Sequence, residues 1–196
     1  MDNFVNDEEA DRLIELGSVE GYVRSTDVGP MKPDGSTEEI VSTGRTSSNA
    51  WCSNECINDE FVKAVTGRIS NMTQFPEVNS EDLQLLRYGP GQKYERHHDF
   101  IEYEVDRQEG VRLLTVYLYL NDVEAGGGTN FPELDLTVMP KRGRVLIWPS
   151  VLDDDPNEKD DRTDHQALPV EAGKKYGANA WLHMRDFKNA LHRGCA

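Results

Sequence analysis

His97, His98 and Asp99, three consecutive residues, carry the strongest chemical signal in the chain. In extended backbone, side chains two positions apart point to one face. His97 and Asp99 can therefore converge on one ion while His98 faces away, and His165, far along the chain, offers a third donor. Two imidazoles and one carboxylate fill one face of an octahedron and leave the other positions open, the arrangement associated with non-haem Fe(II) oxygenases. Open positions let a co-substrate and O2 bind together, which a closed four-ligand site does not allow. A His-x-Asp pair arises readily by chance in a chain with five histidines. It gains weight from a cation: His165 is followed ten residues later by Lys175, in H-x3-P-V-x2-G-x-K. A chain reversal at residues 170–173 would put His165 and Lys175 on neighbouring strands, with the ammonium beside the metal. A buried ammonium needs an anionic partner, because unpaired burial is very costly. A dicarboxylate that chelates the metal at one end and pairs with Lys175 at the other meets both demands.

Two helices and a run of strands must position these groups. Residues 7–16 follow Asn6 as N-cap, carry Asp7, Glu8 and Glu9 in the first turn, and stop before Gly17. Residues 59–73 begin after Asn58 and repeat Phe61, Val62, Val65, Ile69 and Met72 at helical spacing, a packing stripe. From residue 83 the texture changes to strands, at 83–88, 111–120, 136–140, 144–149 and 175–184, separated by turn chemistry. No helical pattern lies between them, which argues against a parallel βαβ fold. The reading is mainly β (α+β): helices packed on an antiparallel sandwich or barrel.

The 196 residues fit a single domain. With 36 acidic against 21 basic side chains the formal charge is −15, so a phosphate backbone would be repelled and no nucleic-acid partner is expected. Residues 153–164 hold seven acids and two bases; they read as a solvated loop, or as a mobile lid that attracts a cationic peptide. No apolar run approaches the ~20 residues of a membrane span. The opening residues lack a secretion signal, which leaves a cytoplasmic protein or a catalytic core whose targeting segment was removed. Cys52, Cys56 and Cys195 are too few to staple the fold. Cys52 and Cys56 read equally as a local disulfide, which implies an oxidising compartment, or as two reduced thiols.

The pieces R-T-S-S (45–48), Q-L-L-R-Y (84–88), G-Q-K-Y-E-R-H-H-D (91–99), R-L-L-T-V-Y-L-Y-L-N (112–121), G-G-T-N-F-P (127–132) and H-Q-A-L-P-V-E-A-G-K-K-Y (165–176) stand in that order. Together they resemble the catalytic domain of the prolyl 4-hydroxylases of the collagen and plant/algal type, Fe(II)- and 2-oxoglutarate-dependent dioxygenases. The resemblance implies one catalytic domain over 1–196. Its core would be a double-stranded β-helix (jelly roll) at 83–185, with 1–75 as a helical support region and substrate loop. It implies that His97, Asp99 and His165 ligate iron and that Lys175, Tyr88 and Thr129 bind 2-oxoglutarate. Tyr94, Arg112, Trp181 and His183 would line a peptide groove, and the loop beginning at Arg45 would fold over the substrate. Tyr119 shares a strand face with Thr115 and Tyr117 and is expected to point into the same cavity. The implied activity is hydroxylation of peptidyl proline at C4 with O2, releasing succinate and CO2, with L-ascorbate keeping iron reduced. Eukaryotic relatives commonly work in the endoplasmic reticulum lumen. Two positions depart from the family: Tyr176 stands where tryptophan is common, and Gly128 replaces the usual glutamate before Thr129.

Individually, Tyr88, Tyr94, Tyr119 and Trp181 also read as ordinary sheet and core aromatics, and His192 reads as surface. Two alternative functions remain at this level. One is a related 2-oxoglutarate hydroxylase acting on another residue; Lys175 in place of the arginine usual there favours the collagen and plant type. The other is a non-catalytic peptide- or calcium-binding jelly roll using 153–164, although calcium loops place their acids around a glycine and this run has none.

Overall fold

The computed structural model describes residues 1–32 and 37–194, so Cys195 lies outside the described residues. Helix α1 covers Asp7–Glu20. The Asn6 side chain accepts from the Glu9 amide and the Glu9 carboxylate accepts from the Asn6 amide, a reciprocal cap. The helix runs past the end expected at residue 16. Gly17 serves close contact there, since a β-carbon on it would lie 2.2 Å from the Tyr22 hydroxyl, and the chain leaves the helix at Gly21. Helix α2 covers Glu60–Thr73 and is capped by Asp59, one residue later than expected, whose carboxylate accepts from the Phe61 amide. Its buried stripe is Val62, Val65 and Ile69. A short α3, Phe187–His192, closes the chain.

The strands in chain order begin with β1 (Val23–Arg24), β2 (Asp27–Met31), β3 (Thr37–Ile40), β4 (Ser48–Trp51), β5 (Gln84–Tyr88), β6 (Tyr94–His97) and β7 (Arg112–Tyr119). They continue with β8 (Ala125–Gly126), β9 (Thr129–Phe131), β10 (Leu136–Val138), β11 (Val145–Pro149), β12 (His165–Ala167), β13 (Val170–Ala172) and β14 (Lys175–His183). The first four lie between the two helices, in the region expected as helical support and substrate loop, and β4 joins the main sheet beside β5. One sheet has the order β1-β4-β5-β14-β7-β11 and a facing one β10-β9-β12-β6, every pairing antiparallel.

Period-two alternation gives the large sheet two different faces. Leu85 of β5, Val116 and Leu118 of β7, and Ala178, Ala180 and Leu182 of β14 pack in one core with Leu13 and Leu16 of α1 and Val62, Val65 and Ile69 of α2. The intervening residues Leu86, Tyr88, Tyr117 and Tyr119 join Phe131, Trp148 and Val170 in a second cluster on the opposite face. Each buried Leu or Val contributes about 1.5–3 kcal/mol, so the helices brace the sheet whose other face carries the polar groups. His165 and Lys175 are not on neighbouring strands, contrary to expectation: β12 belongs to the small sheet and β14 to the large one. The segment between them is not a simple hairpin turn, because β13 pairs with β8 while the chain crosses from one sheet to the other.

Candidate active site

A cavity of about 550 Å³ opens between the two sheets. His97 ends β6 and His165 begins β12, and the sheet register sets the two directly opposite each other. Their ring centroids are 4.3 Å apart. Asp99, two residues beyond β6, brings Oδ2 to 3.6 Å from His165 Nε2. One ligand atom from each of the three lies within 4.8 Å of the others.

The backbone sets the tautomers. His97 Nδ1 is 2.8 Å from the Glu95 carbonyl, and His165 Nδ1 is 3.0 Å from the Thr163 carbonyl. A carbonyl only accepts, so each Nδ1 carries the proton and each Nε2 keeps its lone pair for a metal. Thr115 of β7 donates to Asp99 Oδ2 at 2.6 Å. Burial, reinforced by His165, pushes His97 well below the usual imidazole range and keeps it neutral. Burial acts to raise Asp99, but His165, His97 and Arg112 outweigh it and hold the carboxyl below its ordinary value. The Tyr94 ring stacks on His97 with centroids 3.6 Å apart, and Arg45 lies 4.6 Å above Tyr94. Trp148 meets His165 edge-on at 4.7 Å.

His98 does turn away. Its Nε2 lies 3.0 Å from both the Asp160 carbonyl and Thr163 Oγ1, and its Nδ1 accepts from the Phe100 amide. With both nitrogens engaged, it anchors the base of the acidic 153–164 loop beside the site.

Lys175 is 1% exposed, and among the described residues no carboxylate lies within ion-pair distance of it. The rings of Tyr88, Tyr117 and Tyr119 surround Nζ at 5.1, 5.2 and 5.5 Å. Aromatic faces offset only part of the lost hydration, and burial pushes this ammonium down to about 7. Thr129 also lines the cavity, where its Oγ1 accepts from the Tyr119 hydroxyl at 2.7 Å. Two imidazole nitrogens, one carboxylate and an acid-free buried ammonium in a single cavity are the groups that Fe(II) and a keto diacid require.

The expected peptide-side residues divide. Arg45, Tyr94, Arg112 and Trp181 line the cavity. Arg45 is held by Gln84 Oε1 at 3.1 Å and the Thr26 carbonyl at 2.8 Å. Arg112 donates to Glu81 at 2.6 Å and packs 4.1 Å over the Trp181 ring. His183 is fully buried and is not on the cavity wall. It engages the Gly110 carbonyl and Glu81 instead, so it steadies the carboxylate that orients Arg112. Strand alternation places Tyr117 on the cavity face with Tyr119, but Glu81 and Gln84 were missed as site residues; nothing local marks Glu81, 31 positions from Arg112.

Residues 83–183 match the 2OG-Fe(II) oxygenase superfamily, more than half of the chain. The chain belongs to that superfamily, and its two facing antiparallel sheets are the double-stranded β-helix. Probable prolyl 4-hydroxylase 7 of Arabidopsis thaliana is 32% identical over 99% of this chain and 65% of its own length. Prolyl 4-hydroxylase subunit alpha-2 of Gallus gallus is 33% identical over 97% of this chain and 34% of its own length. This chain therefore spans less than two thirds of either relative. The viral collagen prolyl hydroxylase of Paramecium Bursaria Chlorella virus-1, solved as a 2OG complex, superposes with a TM-score of 0.69 at 28% identity, covering 93% of both chains.

Proposed function

We propose that this chain is a prolyl 4-hydroxylase that adds oxygen at C4 of a peptidyl proline, consuming O2 and 2-oxoglutarate and releasing succinate and CO2. One observation carries the reading: three metal donors with preset tautomers share a cavity with a buried ammonium that has no acid beside it among the described residues. The prolyl hydroxylases among its relatives support proline as the target.

Bound iron with 2-oxoglutarate and O2 supplies the oxidising power to break an unactivated C–H bond. His97, Asp99 and His165 hold the metal; their second hydrogen bonds to Glu95, Thr115 and Thr163 stop the ligands from rotating away. Lys175 takes the far carboxylate of the keto diacid. Thr129 Oγ1 already accepts from Tyr119, so its own proton is free to donate to the same carboxylate. Tyr88 walls this end with its ring. Arg112 and Trp181 on the large sheet, with Tyr94 and Arg45 opposite, flank the peptide at the mouth, and His183 supports Arg112 through Glu81. The packed sheets keep bulk water from the reacting atoms. Ascorbate serves as the reductant of oxidised iron. Residues 1–196 act as one catalytic domain with the core at 83–185, and the Cys52–Cys56 disulfide supports an oxidising compartment.

The test is mass spectrometry of a panel of proline-containing peptides incubated with the chain, Fe(II), 2-oxoglutarate and ascorbate. A gain of one oxygen atom on proline is expected, lost when 2-oxoglutarate is omitted and absent from lysine peptides lacking proline. Succinate production coupled only to lysine peptides would overturn the prolyl assignment.

A further inference from the structure

On β14 the residues facing the cavity side are Lys175, Gly177, Asn179 and Trp181, and Gly177 alone among them has no side chain. Its backbone is not in the left-handed region, so any residue could adopt the conformation; what the glycine supplies is space. A β-carbon built there would lie 2.2 Å from the Tyr117 hydroxyl and 2.6 Å from Tyr117 Cζ. The Tyr117 ring, projecting from β7, leans across this gap toward Lys175, whose Nζ is 5.2 Å from the ring centroid. Tyr117 is 5% exposed and lines the cavity, yet among the described residues its hydroxyl has no hydrogen-bond partner. Its neighbour Tyr119 differs, donating to Thr129 Oγ1 and lying 3.2 Å from the Val138 carbonyl. Buried hydroxyls are normally paired, and an orphan in a binding cavity points to a missing acceptor.

We propose that Tyr117 is a further co-substrate contact, its hydroxyl donating to the far carboxylate of the keto diacid held by Lys175. The proposal rests on the co-substrate reading above. A carboxylate offers about four lone-pair sites, and Lys175 and Thr129 leave room for a third donor. Burial keeps the phenol far above its usual ionisation range, so it remains a neutral donor beside an anion. Gly177 and Tyr117 thus form a matched pair: the glycine opens the slot, and the tyrosine fills it with a ring and hydroxyl packed beside the Lys175 side chain.

The test is Tyr117→Phe, which removes the oxygen and keeps the ring. Affinities for 2-oxoglutarate and for pyruvate, a keto acid without the far carboxylate, are measured by titration calorimetry on Mn(II)-loaded protein without oxygen, alongside thermal unfolding of the ligand-free protein. The expected result is a 2-oxoglutarate Kd raised about tenfold or more, the range for losing a hydrogen bond to a charged group. Pyruvate affinity should stay unchanged, and the ligand-free melting temperature should not fall. An unchanged 2-oxoglutarate Kd, or equal weakening of both ligands, would overturn the role of Tyr117. Failure of the unaltered chain to bind 2-oxoglutarate would instead overturn the co-substrate reading itself.

Discussion

Proton placement decides what each histidine here can do. His97 and His165 both carry hydrogen on Nδ1, because each faces a backbone carbonyl, and both therefore present a bare Nε2. His98 has both nitrogens engaged by the chain. Substituting His97, Asp99 or His165 with alanine should leave little Co(II) bound after dialysis. His98→Ala should keep its metal but suffer faster proteolytic nicking within 153–164, and equal metal loss for His98→Ala and His97→Ala would contradict this division. Lys175 makes the opposite kind of prediction. Its folded pKa of about 7 lies below the ordinary lysine value of 10.5. The ligand-free fold therefore bears a cost that is fully present below pH 7 and fades as pH rises toward the ordinary value. Lys175→Met should raise ligand-free stability at pH 7 by on the order of 3 kcal/mol and abolish stabilisation by 2-oxoglutarate. With the protonated amine as the proposed anchor of the diacid, its affinity relative to pyruvate should fall about tenfold per pH unit above 7. Calorimetry in two buffers should show proton uptake. A flat ratio across pH 7–9 would exclude Lys175 as the anchor.

Strand alternation is the device that turns one sheet into both a brace and a reaction wall. On β7 and β14, Val116, Leu118, Ala178 and Ala180 face the helices, while Thr115, Tyr117, Lys175 and Trp181 face the cavity. Gly177 belongs to the second series, and its missing side chain is what admits Tyr117. Gly177→Ala should therefore destabilise the protein by about 1–3 kcal/mol through overpacking, because the new methyl meets the Tyr117 ring first and the Leu118 carbonyl at 3.0 Å, with no strain in the backbone angles. Adding Tyr117→Leu should recover most of that loss, with both effects read from thermal unfolding. If the double variant is no more stable than Gly177→Ala alone, the steric pairing is wrong.

The whole molecule carries a formal charge of −15, and part of it is concentrated beside the cavity. Several acids of the 153–164 loop are neutralised locally: Asp160 by Arg162, Asp161 by Lys159, and Asp164 by Arg96. Asp153, Asp154, Asp155 and Glu158 remain exposed. A proline peptide flanked by lysine or arginine should therefore associate faster than one flanked by aspartate or glutamate. In stopped-flow measurements the ratio should shrink toward one at about 0.5 M salt, where screening is effective over a few ångströms. Salt-independent rates would show that long-range steering does not operate. Among the described residues no helix is long and apolar enough to cross a membrane.

The sequence by itself determined what depends on neighbours in the chain. The two-residue offset of His97 and Asp99, the alternation through 111–120, the stripe of α2 and the Asn6 cap are all local periodicities or local hydrogen bonds, and each is visible without a partner. Only the tertiary structure decided which strand lies beside which. It set His165 opposite His97, placed Lys175 on the facing sheet, used Gly17 and Gly177 for close contact, and sealed His183 behind Glu81 across 102 positions. Short strands such as β6, β9 and β12 carry too few residues to show a period. Their pairing is selected by long-range packing of side chains, an energy that no stretch of neighbouring residues contains.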